Sequence, residues 1–321
     1  VTEKKKVLFL LPKKERDNKE KFGEILAKKT DLEPFFAYEA GEVENPEEFD
    51  IVVSFFYDWF RQILPKMEGL QWIHFLSAGV DLLWDWGLDK KGYIFSKSSG
   101  VHAQPISDHV MAMVLYFSRE LGTFERQKIK KEWKGHPLEE LQGMTMGILG
   151  LGAIGRACAQ KARAFGMRVL GTAGHPREVE GVEYVGGPGA VEKVIRESDY
   201  LVVALPLTGK TQGLIGKEEL EKMKKKAVII NIARGEIIKE PDLIECLEKE
   251  KIKGAGLDVF AEEPLPENSP LWEMENVLIT PHNAGSTPYY MERALEIFLE
   301  NWEAYRQGQP LPTGVDLEKG Y

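Results

Sequence analysis

The hexapeptide GLGAIG, Gly150 to Gly155, constrains this chain more than any other stretch. It directly follows the apolar run MGIL and directly precedes the alanine-rich AIGRACAQKARAFG, so it reads as strand, tight turn and helix start. A lone G-x-G-x-x-G is weak, but in that setting each glycine has a task. Gly150 permits the turn, Gly152 lets backbone amides approach a pyrophosphate, and Gly155 lets helix and strand pack closely. At Ala153 and Ile154 the new helix offers unpaired N–H groups and its partial positive charge to the phosphates. The turn therefore predicts a parallel α/β sheet that binds a dinucleotide.

The fingerprint lies near the middle of the 321 residues, and the rest of the chain alternates in the same way. Upstream, KKVLFLLP reads as strand, DNKEKFGEILAKK as helix, and FDIVVSFF, LQWIHFLSAG and YIFSKSSG as strands. QPISDHVMAMVLYFSREL follows as one long helix, with Ile106, Val110, Met113, Val114 and Phe117 at the spacing of a buried face. Downstream of the turn, MRVLGT, YLVVALP, AVIINIA, KGAGLDVF and NVLITPH read as strands. A weaker helix around Ala190 to Glu197, KEELEKMKKK and PDLIECLEKEK lie between them, and STPYYMERALEIFLENWEAYRQG closes the chain as a long helix. Alternation of this kind predicts an α/β protein with two doubly wound parallel-sheet domains. A Rossmann dinucleotide-binding domain over residues 100–285 is inserted into a domain made of residues 1–99 and 286–321, with hinges near Gly100 and Gly285.

Charge and cysteine usage exclude several other classes. A net charge of -9 argues against a nucleic-acid binder, because no excess of Lys and Arg exists to neutralise phosphates. Cys158 and Cys246 stand far apart without metal-ligand spacing, so they read as reduced thiols of a cytoplasmic protein, and no metal is expected. VTEKKKVLFLLP has too short an apolar run for a signal-peptide core, and no stretch of about 18 apolar residues spans a membrane.

A dinucleotide site of this type normally places an acid at the end of the second strand, about 20 residues on, to bind the adenosine ribose. Here VLGTAGHPRE places Ala173, Gly174, His175 and Arg177 there, and the nearest acid is Glu178. Losing the acid removes repulsion towards a 2′-phosphate, and His175 and Arg177 are potential phosphate donors. This favours NADP(H) over NAD(H). The other reading is NAD(H) held by backbone contacts, with Arg177 a solvated surface charge.

Three later strands each end in a polar cluster: IINIARGE supplies Arg234, GLDVFAEEPLP supplies Glu262 and Glu263, and LITPHNAG supplies His282. Ligands of open parallel sheets bind outside the carboxyl ends of the strands, so these groups gather at the nucleotide edge. Together with GLGAIG, LSAGVDLL and SSGVHAQPISDHV, in this order and spacing, they make the chain resemble the D-isomer-specific 2-hydroxyacid dehydrogenases over nearly its full length. The closing VDLEKGY is similar to a short-chain branch acting on general 2-oxoacids.

The resemblance implies a flavodoxin-like substrate domain, a homodimer, and an NAD(P)-dependent oxidoreductase that reduces a 2-oxoacid to the D-2-hydroxyacid. It implies His282 as general acid and base, Glu263 as its paired carboxylate, and Arg234 as the grip on the substrate carboxylate. It also implies Asp258 on the nicotinamide carboxamide and the backbone amides of Ala78 and Gly79 on the substrate. Imidazole suits proton exchange near neutrality, and a planar guanidinium suits a carboxylate. Glu262 is the competing neighbour; spacing from Asp258 selects Glu263. His74, His102 and His109, on the strand edge or helix of the first domain, read as structural. Trp72, Trp84, Trp86 and Trp133 read as core or dimer-interface residues. Phe55, Phe56, Tyr57 and Leu76 to Val80 are expected to wall the pocket for the variable substrate group. Glyoxylate or hydroxypyruvate reduction and phosphoglycerate oxidation are alternatives on the same machinery. Formate oxidation is disfavoured, because Glu263 stands where that chemistry has an amide. A non-catalytic corepressor-like module that senses NAD(H) is the alternative from another class.

Overall fold

A strand must be apolar wherever it is buried on both faces, and β1 (Lys5–Leu10) is so after its two half-buried lysines: Val7, Leu8, Phe9 and Leu10 are all buried. The computed structural model describes residues 4–27, 31–80, 82–88 and 92–317. It divides into two compact units, Val1–Val101 with Pro288–Tyr321, and His102–Thr287. Parts of four expectations lie outside the described residues: the first three residues of VTEKKKVLFLLP, the last two of DNKEKFGEILAKK, Asp81 of LSAGVDLL, and residues 318–321 of VDLEKGY.

In the first unit β1 is followed by α1 (Lys19–Leu26), β2 (Leu32–Ala37), β3 (Ile51–Ser54), α2 (Asp58–Ile63), β4 (Trp72–Phe75), α3 (Leu82–Asp85) and β5 (Ile94–Lys97). The sheet is parallel with order β2-β1-β3-β4-β5, the flavodoxin-type order. Val7 and Phe9 face a core with Trp72, Phe298 and Trp302, the last two from the C-terminal helix Tyr290–Arg306. Leu8 and Leu10 face a second core with Val52, Ile73 and Phe75. Strand β2, LEPFFA, departs from the expected pattern, which had no strand there. Pro34 cannot donate to a ladder, and the chain accommodates it by placing β2 at the sheet edge, paired only with β1.

His74 is structural in this unit. It is fully buried, Nδ1 lies 2.7 Å from Ser96 Oγ and Nε2 3.1 Å from Ser98 Oγ, and burial pushes its pKa down to about 3. Trp72 is fully buried and donates from Nε1 to Ser96 Oγ at 2.9 Å. Trp84 and Trp86 are half-buried beside the second core.

The second unit holds α4 (Ala103–Ser118), α5 (Leu121–Lys130), β6 (Thr145–Leu149), α6 (Ala153–Ala164), β7 (Arg168–Thr172), β8 (Tyr184–Gly186), α7 (Val191–Glu197), β9 (Tyr200–Val203), α8 (Lys217–Glu221), β10 (Val228–Asn231), α9 (Glu240–Glu248), β11 (Gly254–Leu257) and β12 (Val277–Ile279). All pairings are parallel, in the order β12-β11-β10-β9-β6-β7-β8. The order reverses between β6 and β9, the switch point at which doubly wound sheets bind nucleotides.

The helix expected over 104–121 ends at Ser118. Glu120 takes a left-handed conformation (φ 52°) and turns the chain into α5, an unexpected second helix. His102 and His109 belong to this second unit, not to the first domain. The reason is packing: glycines in β11 admit α4, so that a methyl group on Gly256 would lie 2.8 Å from Met113 Sδ and one on Gly254 2.8 Å from Phe117.

Candidate active site

The glycine turn sits at the switch point. Gly150 has φ 104°, and a side chain there would meet the Ala204 carbonyl oxygen at 2.5 Å, just beyond β9. A Cβ on Gly155 would lie 2.1 Å from the Gly150 oxygen, so only glycine lets α6 start this close to β6. Gly152 differs: a Cβ there meets nothing within 4 Å, so its missing side chain clears space above the turn. Gly152 is also the N-cap of α6, and no side-chain hydrogen bond caps that helix. The N–H groups of Ala153, Ile154 and Gly155 lie in its first turn, where no intrahelical partner exists. An open, uncapped helix start over a glycine cradle fits the pyrophosphate of a dinucleotide.

Beyond β7 the expected ribose position carries no acid. Ala173 is half-buried and its N–H donates to the Gly186 carbonyl at 2.9 Å, while His175, Arg177 and Glu178 are exposed. Cys158, inside α6, is buried, and burial pushes its thiol up to about 12, so it is an inert packing group.

The exits of β10, β11 and β12 lie side by side. Past β10, the buried Asn231 side chain curls the chain: Oδ1 accepts from the Ala233 N–H at 3.1 Å and Nδ2 donates to the Arg234 carbonyl at 3.0 Å. The curl presents the exposed Arg234, whose Nη1 donates to the Ala233 carbonyl at 2.6 Å. Gly235 then passes against the exit of β11, where a Cβ would lie 1.9 Å from the Phe260 carbonyl carbon. Past β11, Glu263 Oε1 accepts from the Phe260 N–H at 3.0 Å and Oε2 lies 2.7 Å from His282 Nδ1. Burial pushes the Glu263 carboxyl upward. The hydrogen bonds from His282 and Phe260 and the charges of His282 and Arg234 outweigh it and hold the group below its usual value. The structure thus joins Glu263, not Glu262, to His282, and Glu262 is exposed.

His282 is held in the left-handed region (φ 48°), uncommon for a residue with a side chain. Its loop hangs on the buried Asp258. Thr280 Oγ1 donates to Oδ1 at 2.6 Å, the Asn283 N–H to Oδ1 at 2.9 Å, and the Ala284 N–H to Oδ2 at 3.0 Å. The His282 N–H donates to the Asp258 carbonyl at 2.8 Å. A carboxylate accepts about four hydrogen bonds, and these contacts supply three, two on Oδ1 and one on Oδ2. His109 Nε2 reaches Thr280 Oγ1 at 3.0 Å. Ala78 and Gly79 lie in the other unit, in the turn after β4, where Ser77 Oγ donates to the Gly79 carbonyl at 2.7 Å. Among the described residues no group of three His, Cys, Asp or Glu is placed to hold a metal ion.

An uncapped glycine turn at the switch point of a seven-stranded parallel sheet, with a His–Glu pair on the exits of the strands three and four places from β6, defines a dinucleotide-binding protein of the doubly wound class. The family profile described as "D-isomer specific 2-hydroxyacid dehydrogenase, NAD binding domain" matches residues 111–284. A glyoxylate reductase of Korarchaeum cryptofilum is 32% identical over 287 residues, covering 86% of this chain and 85% of its own. A solved D-isomer-specific 2-hydroxyacid dehydrogenase of Xanthobacter autotrophicus Py2, in complex with NADPH and MES, has TM-score 0.78 and 30% identity over 99% of this chain and 100% of its own. An NADPH-dependent glyoxylate/hydroxypyruvate reductase of Sinorhizobium meliloti, with NADP and sulfate, has TM-score 0.75 and 26% identity over 99% and 100%. The chain belongs to the D-isomer-specific 2-hydroxyacid dehydrogenase family, as an oxidoreductase that binds NAD(P).

Proposed function

We propose that this chain reduces a 2-oxoacid to the D-2-hydroxyacid, with His282 as general acid, Glu263 as its paired carboxylate and Arg234 as the carboxylate grip. The observation that carries the reading is the 2.7 Å contact between His282 Nδ1 and Glu263 Oε2, made one strand away from the exposed Arg234. The reduced nicotinamide supplies the hydride when bound. Glu263 accepts from the Nδ1–H of His282, which fixes the ring and leaves Nε2–H to pass its proton to the substrate carbonyl oxygen. One Arg234 Nη1–H is occupied by Ala233, so the remaining guanidinium N–H groups pair with the substrate carboxylate and polarise the adjacent carbonyl. We assign the amides of Ala78 and Gly79 to the same carboxylate, and the Asp258 carboxylate to the nicotinamide carboxamide. Glyoxylate and hydroxypyruvate lead the candidate substrates, because the Korarchaeum and Sinorhizobium relatives carry those names. Turnover of a panel of 2-oxoacids tests the reading.

The cofactor reading favours NADP(H). Its support is the exposed His175 and Arg177 around a β7 exit without an acid, and the NADPH or NADP of the two solved relatives named above. Ala173→Asp should shift the NADH-to-NADPH ratio of kcat/KM towards NADH at least about tenfold, equivalent to ~1.4 kcal/mol. If NADH already wins in the unmodified protein, the preference is wrong and the dehydrogenase assignment stands.

The assembly reading is a cytoplasmic homodimer. Trp133 is 103% exposed and Ile129 80%, side chains of a kind that interfaces cover, and both cysteines are free. Light scattering should give twice the 36.3 kDa chain mass, and Trp133→Arg should lower it towards the monomer. A monomeric wild type contradicts this reading.

A further inference from the structure

The loop that carries His282 is anchored from beneath by a chain of three side chains, of which the proposed chemistry uses Asp258 but neither Thr280 nor His109. Thr280 has one hydroxyl proton and gives it to Asp258 Oδ1, 2.6 Å away. Its oxygen is therefore the acceptor at the 3.0 Å contact with His109 Nε2, which must carry the hydrogen. The contacts define a directed relay, His109 Nε2–H to Thr280 Oγ–H to Asp258 Oδ1. His109 Nε2 itself stands 3.8 Å from that oxygen.

Asp258 then distributes this order. Its carboxylate takes the N–H groups of Asn283 and Ala284, on the far side of His282, and its carbonyl takes the N–H of His282. Four of the five residues from Thr280 to Ala284 hang on one residue. The strained φ of 48° at His282 persists only where surrounding bonds over-determine it. Without the His109 donor, the Thr280 hydroxyl is fixed from one side only, and one of the three bonds that orient the Asp258 carboxylate loosens.

We propose that His109 is a positioning residue: through Thr280 and Asp258 it sets the place of the His282 imidazole. This rests on the reading of His282 as the acid. His109 touches neither His282 nor Glu263 in any contact described above, so it acts through the loop.

His109→Leu removes the donor at similar size, and His109→Gln restores an N–H near the Nε2 position. The expected result for Leu is a kcat lowered about tenfold with KM for the oxoacid within about twofold, since a displacement of 1 Å or less suffices. Gln should recover most of kcat. Thr280→Val should give the same loss, and the double variant with His109→Leu should be no worse than either single one, because both cut one chain. A second readout needs no turnover: the His282 Nδ1–H resonance against Glu263 in the proton NMR spectrum should weaken or move in Leu and return in Gln. Wild-type kcat and an unmoved resonance in His109→Leu overturn the inference. So does a double variant whose losses multiply. If the wild type reduces no 2-oxoacid while the resonance still responds, the functional reading falls and the positioning role stands.

Discussion

Replacing His282 by alanine is expected to lower kcat by roughly 10²–10⁴-fold, the range for loss of a general acid. The substitution removes the Nε2 proton source and leaves the Glu263 carboxylate without its 2.7 Å partner. Folding should survive it. The His282 side chain is 50% exposed, so its truncation opens no core cavity, and its backbone bonds to Asp258 and Thr280 persist. A melting temperature near wild type beside the lost kcat would separate chemistry from stability. Wild-type kcat in this variant would remove His282 from the mechanism.

The second large effect is expected at Gly235, which touches no reactant. A methyl group there would sit 1.9 Å from the Phe260 carbonyl carbon and 2.3 Å from the Ala261 nitrogen, both backbone atoms. Non-bonded carbons approach to about 3.5–4.0 Å, so the loop bearing Arg234 and the loop bearing Glu263 must part by more than about 1 Å. A misplacement of that size costs about 10²-fold in rate, and overpacking costs about 1–3 kcal/mol of stability. Gly235→Ala should therefore lose both kcat/KM and melting temperature. Arg234→Ala is the control: it keeps the backbone, and its loss should fall mainly on KM for the oxoacid with stability unchanged. A Gly235→Ala variant with wild-type kinetics would contradict the packing between the two strand exits.

The functional edge was legible because its residues stand at strand ends in a fixed order. Gly150 and Gly155 do what a strand–turn–helix fingerprint demands, and Arg234, Glu263 and His282 lie on adjacent exits as parallel alternation implies. The choice of Glu263 over Glu262 came from spacing, and the structure gives its cause in the bonds from His282 and Phe260.

What escaped was set by tertiary context. Pro34 hid β2, because a proline breaks the local strand signal and only the sheet order reveals an edge position. β8 has only Tyr184–Gly186, too short to show periodicity. The break at Glu120 has neither glycine nor proline at the left-handed residue itself. Asn231 showed one signal, a polar residue ending the run VIIN, whereas nothing in the sequence ties His109 to Thr280, 171 positions away.

Incubating the wild-type protein with NADPH and, separately, NADH against glyoxylate, hydroxypyruvate, pyruvate, phosphohydroxypyruvate and a phenyl-substituted 2-oxoacid decides whether the chain is a 2-oxoacid reductase. Cofactor oxidation is followed and the chiral products are resolved. Oxidation should require the oxoacid and run faster with NADPH, and the chiral products should be of D configuration alone. No oxidation with any of these acids would leave only a nucleotide-sensing module, and an L-hydroxyacid product would contradict the assigned geometry of Arg234 and His282.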